Sequence, residues 1–176
     1  MAAFNAKQKE VYLFALDKAL GHTKIRSSDM LYGKWLFYKA AAQFTDRKLE
    51  EALNTLYADN TLLKDKAGWL FGHRLLEIMI LMERKDYELI DFRIEALRKL
   101  LQRQKHKSIT RIKAIFQILH LFVRGGYNYR DTAIEAKSQL ELLEGNAELY
   151  FWDPLGFETI RFDTWFRAKA LTKHTL

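Results

Sequence analysis

A chain of 176 residues can bury roughly 70% of the surface its unfolded form exposes, so a core needs no disulfide or metal staple. There are no cysteines, which excludes disulfides, thiolate metal sites and thiol nucleophiles; one proline and eight glycines are too few for a loop-rich all-β fold. The formal charge of +7 favours acidic partners and permits nucleic-acid binding without requiring it.

Helical periodicity runs through nearly the whole chain. From Asn5 to Leu20 the apolar positions Val11, Tyr12, Ala15, Leu16 and Ala19 fall one helical turn apart, and Gly21 stands where a helix ends. Ser27, Ser28 and Asp29 offer N-cap chemistry to a second helix reaching about Phe44, and Thr45 and Asp46 to a third ending near Tyr57 to Asn60. A fourth, from about Asp65 to Arg84, places Leu70, Arg74, Leu75, Ile78, Met79 and Met82 on one stripe and Trp69, Leu76 and Ile80 on another. A helix apolar on two sides is packed on two sides. Asp86 opens a fifth, with Leu89, Ile90, Ile94, Leu97, Leu100 and Leu101 as its buried face. Ser108 opens a sixth, with Ile109, Ile112, Ile115, Phe116, Leu119, Phe122 and Val123 in helical spacing, closed by Gly125 and Gly126. A seventh, from about Asp131 to Leu143, has a capping box in Thr132 and Glu135. Beyond Gly145 come the only proline, Pro154, the aromatics Tyr150, Phe151, Trp152 and Phe157, and a short helix from about Asp163 to Leu171 with Trp165 and Phe166. This closing stretch reads as packing over the last helical layer rather than as a peptide groove.

One segment returns. Glu51-Ala52-Leu53-Asn54-Thr55-Leu56-Tyr57 is echoed by Glu95-Ala96-Leu97-Arg98-Lys99-Leu100-Leu101, each followed by a second apolar-rich helix. One such pair cannot bury its apolar face alone, so the expectation is an all-α, single-domain solenoid over 1–176. Its stacked antiparallel pairs cover about 5–44, 46–84 and 86–124, with a seventh helix at about 131–143 and an aromatic cap over 145–176. The spacing is nearer that of HEAT repeats than of tetratricopeptide repeats.

The run from Leu75 to Glu83, then Asp86 to Ile90, Arg93 and Leu97 to Leu101, with Phe162-Asp163 and Trp165 near the end, carries a resemblance. It resembles the C-terminal region of large uncharacterised bacterial proteins built from tetratricopeptide-like helical repeats. The resemblance covers about half the chain. It implies an α-solenoid without catalytic residues, in which Ala3 to Leu20 packs on an upstream helix of a longer protein. The strict tetratricopeptide consensus is missing, which speaks against a concave carboxylate clamp.

Motifs for chemistry are sparse. His73 and Glu77 share a helix face at i, i+4, but a zinc or di-iron site needs further ligands that the sequence does not place, so a surface pair is the plainer expectation. His120, among Leu119, Leu121 and Phe122, reads as a half-buried, hydrogen-bonded histidine. Glu141, Glu144 and Glu148 form a carboxylate group with nothing apolar enclosing it, hence a solvated face. No phosphate loop, dinucleotide fingerprint or nucleophile elbow occurs. The strongest patch is basic: Arg98, Lys99, Arg103, Lys105, His106, Lys107, Arg111 and Lys113 surround one turn with no acid between them.

These features predict a protein-binding scaffold, with no catalytic residues, cofactor, metal or small-molecule substrate. The expected partner contacts are His73, Arg74, Glu77, Arg98, Arg103, Lys105, Lys107 and Arg111. The alternative is a nucleic-acid or other polyanion-binding module using 98–113. Met1 to Glu10 has no secretory signal pattern, and the apolar run Ile78 to Met82 is far too short to span a membrane, so a cytoplasmic location is expected.

Overall fold

The computed structural model describes residues 6–65, 68–103, 110–145, 147–153 and 156–172; of 6–10 and 103 it describes the backbone alone. Among these residues the protein is all-helical, without a strand. The helices are α1 Ala6–Gly21, α2 Thr23–Arg26, α3 Asp29–Thr45, α4 Leu49–Tyr57, α5 Trp69–Arg84, α6 Tyr87–Arg103, α7 Thr110–Arg124, α8 Tyr129–Glu135, α9 Lys137–Glu144 and α10 Phe162–Leu171. No described helix is long and apolar enough to cross a membrane. The chain divides into two compact units, 1–85 and 86–176.

In the first unit α3 packs against α1, α2 and α4, and α5 packs against α4 and the 3-10 turn Thr61–Lys64. Ser28 caps α3 as its chemistry predicts, its hydroxyl accepting from Leu31 N at 3.5 Å. Thr45 and Asp46, by contrast, do not start α4. Thr45 belongs to the last turn of α3, where Oγ1 donates to Ala41 O at 3.0 Å, and Asp46 closes that helix. The chain then turns through Arg47 at φ 64°, and Lys48 N donates to Gln43 O at 2.9 Å, closing the helix with a Schellman-type bond. The two-sided character of α5 is evident in the structure: every residue from Leu75 to Met82 is buried. The helix begins later than expected, at Trp69, whose N–H is accepted by the Asp65 carboxylate at 3.0 Å. On α1 only Leu16 of the expected stripe is buried, while Val11, Tyr12 and Ala15 are exposed.

In the second unit α6 packs on α7, α7 on α8 and α9, and α10 on α8 and α9. Ile90, Ile94, Leu97 and Leu101 form the inner face of α6; Leu89 falls outside it, because a position one residue before Ile90 is turned by about 100° around the helix. Ser108 and Ile109 lie outside the described residues. Gly126, at φ 68°, ends α7 as the sequence suggests, with Tyr127 N donating to Phe122 O at 2.8 Å. The expected seventh helix is two helices, broken at Ala136 (φ −90°, ψ 20°). Its cap is Asn128, whose Oδ1 accepts from Arg130 N and Asp131 N at 2.9 and 3.1 Å. Thr132 is a buried helical residue donating to Asn128 O, and Glu135 pairs with Arg124, so neither builds a capping box. Phe122, Tyr129, Phe162, Trp165 and Phe166 pack ring against ring where α10 crosses α8, with centroid separations of 4.7 to 6.3 Å.

Three turns share a geometry. Arg47, Lys85 and Tyr127 all have φ near 60°, and each stands two residues before a helix start. Five and nine positions after each, the side chain is buried: Ala52 and Leu56, Ile90 and Ile94, Thr132 and Ala136. The echoed segments sit in different registers against these turns. Glu51 lies in the first turn of α4, whereas Glu95 lies midway along α6.

Candidate functional site

The polar residues of α5 are buried rather than on its surface. The expected surface pair His73 and Glu77 sits inside, because Leu75, Leu76, Ile78, Met79 and Ile80 surround both positions with apolar ones. His73 Nε2 lies 3.0 Å from Leu56 O, a geometry in which the ring nitrogen must donate. Glu77, fully buried, accepts from the Tyr57 hydroxyl at 2.5 Å and from Arg74 Nη1 at 2.9 Å. Leu56 and Tyr57 end α4, so the buried pair ties the C-terminal end of α4 to the middle of α5. At the other end of the hairpin, Arg47 pairs with the largely buried Glu83 at 2.7 Å and Arg84 with Glu50 at 2.6 Å. Such buried hydrogen bonds and ion pairs fix one register between two helices, since any slip would strand a buried charge.

The basic turn is less free than its sequence suggests. Arg98 is held by Glu95, three residues before it, through two bonds of 2.7 Å, and Lys99 lies 3.8 Å from the same carboxylate. The hydrogen bond from Arg98 draws the Glu95 carboxyl below its ordinary range, and Glu95 in turn raises the guanidinium. The Arg103 side chain and Lys105, His106 and Lys107 lie outside what is described, so that part of the predicted patch is not placed. Lys113 is exposed.

Arg111 is buried. Its guanidinium donates to both oxygens of Glu158 (2.5 and 2.8 Å), to Asp163 Oδ1 (2.7 Å), and to the carbonyls of Leu143 (2.8 Å) and Tyr150 (2.9 Å). Burial pulls its pKa down, but the bonds and charges of Glu158 and Asp163 outweigh that, so the net direction is up. Glu158 Oε1 also accepts Phe162 N at 2.8 Å, capping α10. Asp163 Oδ2 accepts Arg161 Nε at 2.9 Å, and Trp152 Nε1 donates to Glu158 O at 2.7 Å. One cation thus gathers α7, the end of α9, the segment after it and the start of α10.

The sequence does not single out Glu158, and it marks Asp163 only as a helix start and part of the resemblance, not as a site residue. The available signal was Asp163 standing between Phe162 and the Trp165-Phe166 pair, where an unpartnered carboxylate would be costly. His120 is exposed and lies parallel to the Phe116 ring at 6.2 Å, not half-buried as expected, because α7 presents that side to solvent. Glu141, Glu144 and Glu148 are exposed, with Glu141 near Lys137 and Glu144 paired with Arg167. Among the described residues no group of three histidine or carboxylate side chains is arranged to hold a metal ion. Compared with known protein families, with curated proteins and with solved structures, the chain matches none.

Proposed function

We propose that this protein is a non-catalytic, helical-repeat interaction module of the cytoplasm, a TPR/HEAT-like solenoid whose aromatic C-terminal segment covers its last layer. The observation that carries the reading is where the polar chemistry goes. His73, Glu77, Arg111, Glu158 and Asp163 are turned into helix-to-helix ties, while large apolar side chains such as Phe14, Leu89, Phe92 and Phe151 stand on the surface. The shared geometry at Arg47, Lys85 and Tyr127 supports successive helix pairs built to one pattern, since repeat modules reuse one turn and one set of buried positions. The burial of Arg111 removes one expected contact from the polyanion alternative, and Glu95 competes for a second, the partly exposed Arg98. The contact surface therefore moves to exposed positions, with Leu89 and Phe92 on α6 the first to change.

Immobilised protein should recover one specific protein from its native source, and Leu89→Glu with Phe92→Glu should abolish that recovery without loss of helicity. Recovery of nothing, or of the same protein by the variant, would refute the reading at this face. Retention on heparin that Arg103→Glu with Lys107→Glu abolishes would replace it with polyanion binding.

A further inference from the structure

The first two turns of α6 bring apolar and acidic side chains onto one outward face. Tyr87, Leu89 and Phe92 are 39%, 41% and 63% exposed. Glu88 and Asp91 are exposed among them, and one helical turn separates Glu88 from Asp91 and Phe92, and Tyr87 from Asp91. The Tyr87 ring stacks on Tyr127, with centroids 4.2 Å and planes 23° apart, and the Tyr127 hydroxyl donates to Asp91 Oδ1 at 2.7 Å. Ring pair and carboxylate are therefore held in place before a partner arrives, which lowers the cost of ordering them on binding.

Charge at this face runs against the chain as a whole. The net charge of +7 favours acidic partners, yet Glu88 and Asp91 repel one another a turn apart, and among the described residues neither has an ion pair. The cations further along the helix are engaged elsewhere. The Arg93 guanidinium lies 5.3 Å from the centre of the Phe92 ring, and Arg98 and Lys99 reach Glu95. Attraction to the positive end of the helix accounts for Glu88, which lies in the first turn. Asp91 lies in the second turn, beyond that effect.

We propose that this face receives an arginine-bearing, apolar segment of a basic partner protein. The inference rests on the interaction role assigned above to Leu89 and Phe92, and adds the sign and chemistry of what binds there. Leu89 and Phe92 take the apolar side chains of the segment, while Glu88 and Asp91 take its charge. A guanidinium suits the face better than an ammonium. Its flat group lies on a tyrosine ring while its N–H fork grips a carboxylate, and an ammonium does only the second. The same carboxylates turn nucleic acid and other polyanions away from this face.

Fluorescence anisotropy of three labelled synthetic peptides on the full chain tests this. Each has leucine at helical spacing, with arginine, lysine or glutamate at the other positions. The arginine peptide should bind despite the positive charge of the whole protein, and the lysine peptide more weakly. Glu88→Lys and Asp91→Asn should each weaken the arginine peptide by about tenfold or more, with circular dichroism like that of the wild type. No binding of the arginine peptide, equal binding of the lysine or glutamate peptide, or binding that neither charge variant alters overturns the proposal. Glu88→Lys leaves Leu89 and Phe92 in place, so the interaction role and its basic partner fail separately. A native protein whose capture is lost with Leu89→Glu and Phe92→Glu, but unchanged by Glu88→Lys and by Asp91→Asn, keeps the first and overturns the second. A wild type whose mass in light scattering exceeds 20.8 kDa, and returns to it with Glu88→Lys, gives the face to a second copy and overturns the choice of occupant.

Discussion

Arg111→Met is the most informative single change, because it removes the cation that Glu158 and Asp163 share, taking from Glu158 its ion pair and leaving Asp163 with Arg161 alone. Glu158 and Asp163 are almost wholly buried, and in the wild type their negative charge is met by the guanidinium through three bonds of 2.5 to 2.8 Å. Methionine keeps the bulk of the stem and none of the donors, so the carboxylates, the Leu143 carbonyl and the Tyr150 carbonyl lose a partner together. Summing bond energies would overstate the effect, since burying the intact network already costs desolvation. Breaking a buried pair from one side is the better guide, at about 3–5 kcal/mol. Set against a total stability of about 5–15 kcal/mol, that is enough to unfold a marginal unit. Urea denaturation, followed by far-ultraviolet circular dichroism and by tryptophan fluorescence that includes Trp152 and Trp165, should show the midpoint falling sharply with the slope preserved. Glu158→Gln should then cost markedly less in the Arg111→Met background than in the wild type, with a coupling of roughly 0.5–3 kcal/mol. A variant within about 1 kcal/mol of wild type, or a Glu158→Gln cost equal in both backgrounds, would refute the account. Arg111→Lys should also be destabilising, since one ammonium cannot reproduce the bidentate grip on Glu158 while reaching Asp163.

Three further outcomes follow from the geometry. Tyr57→Phe removes the 2.5 Å bond to buried Glu77 and should cost about 1–3 kcal/mol in the same denaturation experiment; no measurable change would mean that water or Arg74 replaces it. The Tyr127 phenol is pushed up to about 12, first by burial and then by the 2.7 Å hydrogen bond it donates to Asp91 and by that carboxylate's charge. Because the folded value lies above the ordinary tyrosine value of about 10, this term favours the fold below about pH 10 and disappears as pH climbs toward about 12. In a phenolate absorbance titration, Tyr127→Phe should delete the late-ionising component and Asp91→Asn should move it back toward about 10, whereas curves that superimpose would contradict the assignment. Lys85 and Arg47 both sit in left-handed backbone, at φ 58° and 64°, but only Arg47 also has a bond to Glu83 among the ion pairs described. Lys85→Gly should therefore be neutral or stabilising by up to about 1 kcal/mol, and Arg47→Gly destabilising, as measured by thermal melts; the reverse order would show that strain at these turns is not the deciding quantity.

Much of the fold is legible in the chain because it depends on local spacing. The start of α3 at Ser28, the end of α7 at Gly126 and the burial of α5 on several sides follow from capping chemistry and 3.6-residue periodicity. Misreadings arose where one polar residue had two possible tasks. Thr45 can cap a helix from outside or donate back to Ala41 from within, and a left-handed Arg47 decides for the second without any glycine to announce it. Thr132 and Glu135 have capping-box spacing, yet Asn128 starts α8 three residues before Asp131 does in the pattern, because its side chain reaches two amides at once.

The candidate site was legible in a different and more limited way. Glu77 lies among Leu75, Leu76, Ile78, Met79 and Ile80, Arg111 beside Ile112 and Ala114, and Asp163 beside Phe162. Each is a charge inside an apolar run, and burial of an unpaired charge is too costly to persist, so such a position implies a partner as firmly as it implies a core. The residues themselves can be found this way, but their partners cannot. Tyr57 is twenty positions from Glu77, and Glu158 and Asp163 are 47 and 52 positions from Arg111. Placing Arg111 in the same basic patch as Lys113 missed its burial for the same reason. Helical phase sends Arg111 inward with Ile112, Ile115 and Leu119 while Lys113 faces out, so two cations only two residues apart serve opposite ends, one organising a core and the other meeting solvent.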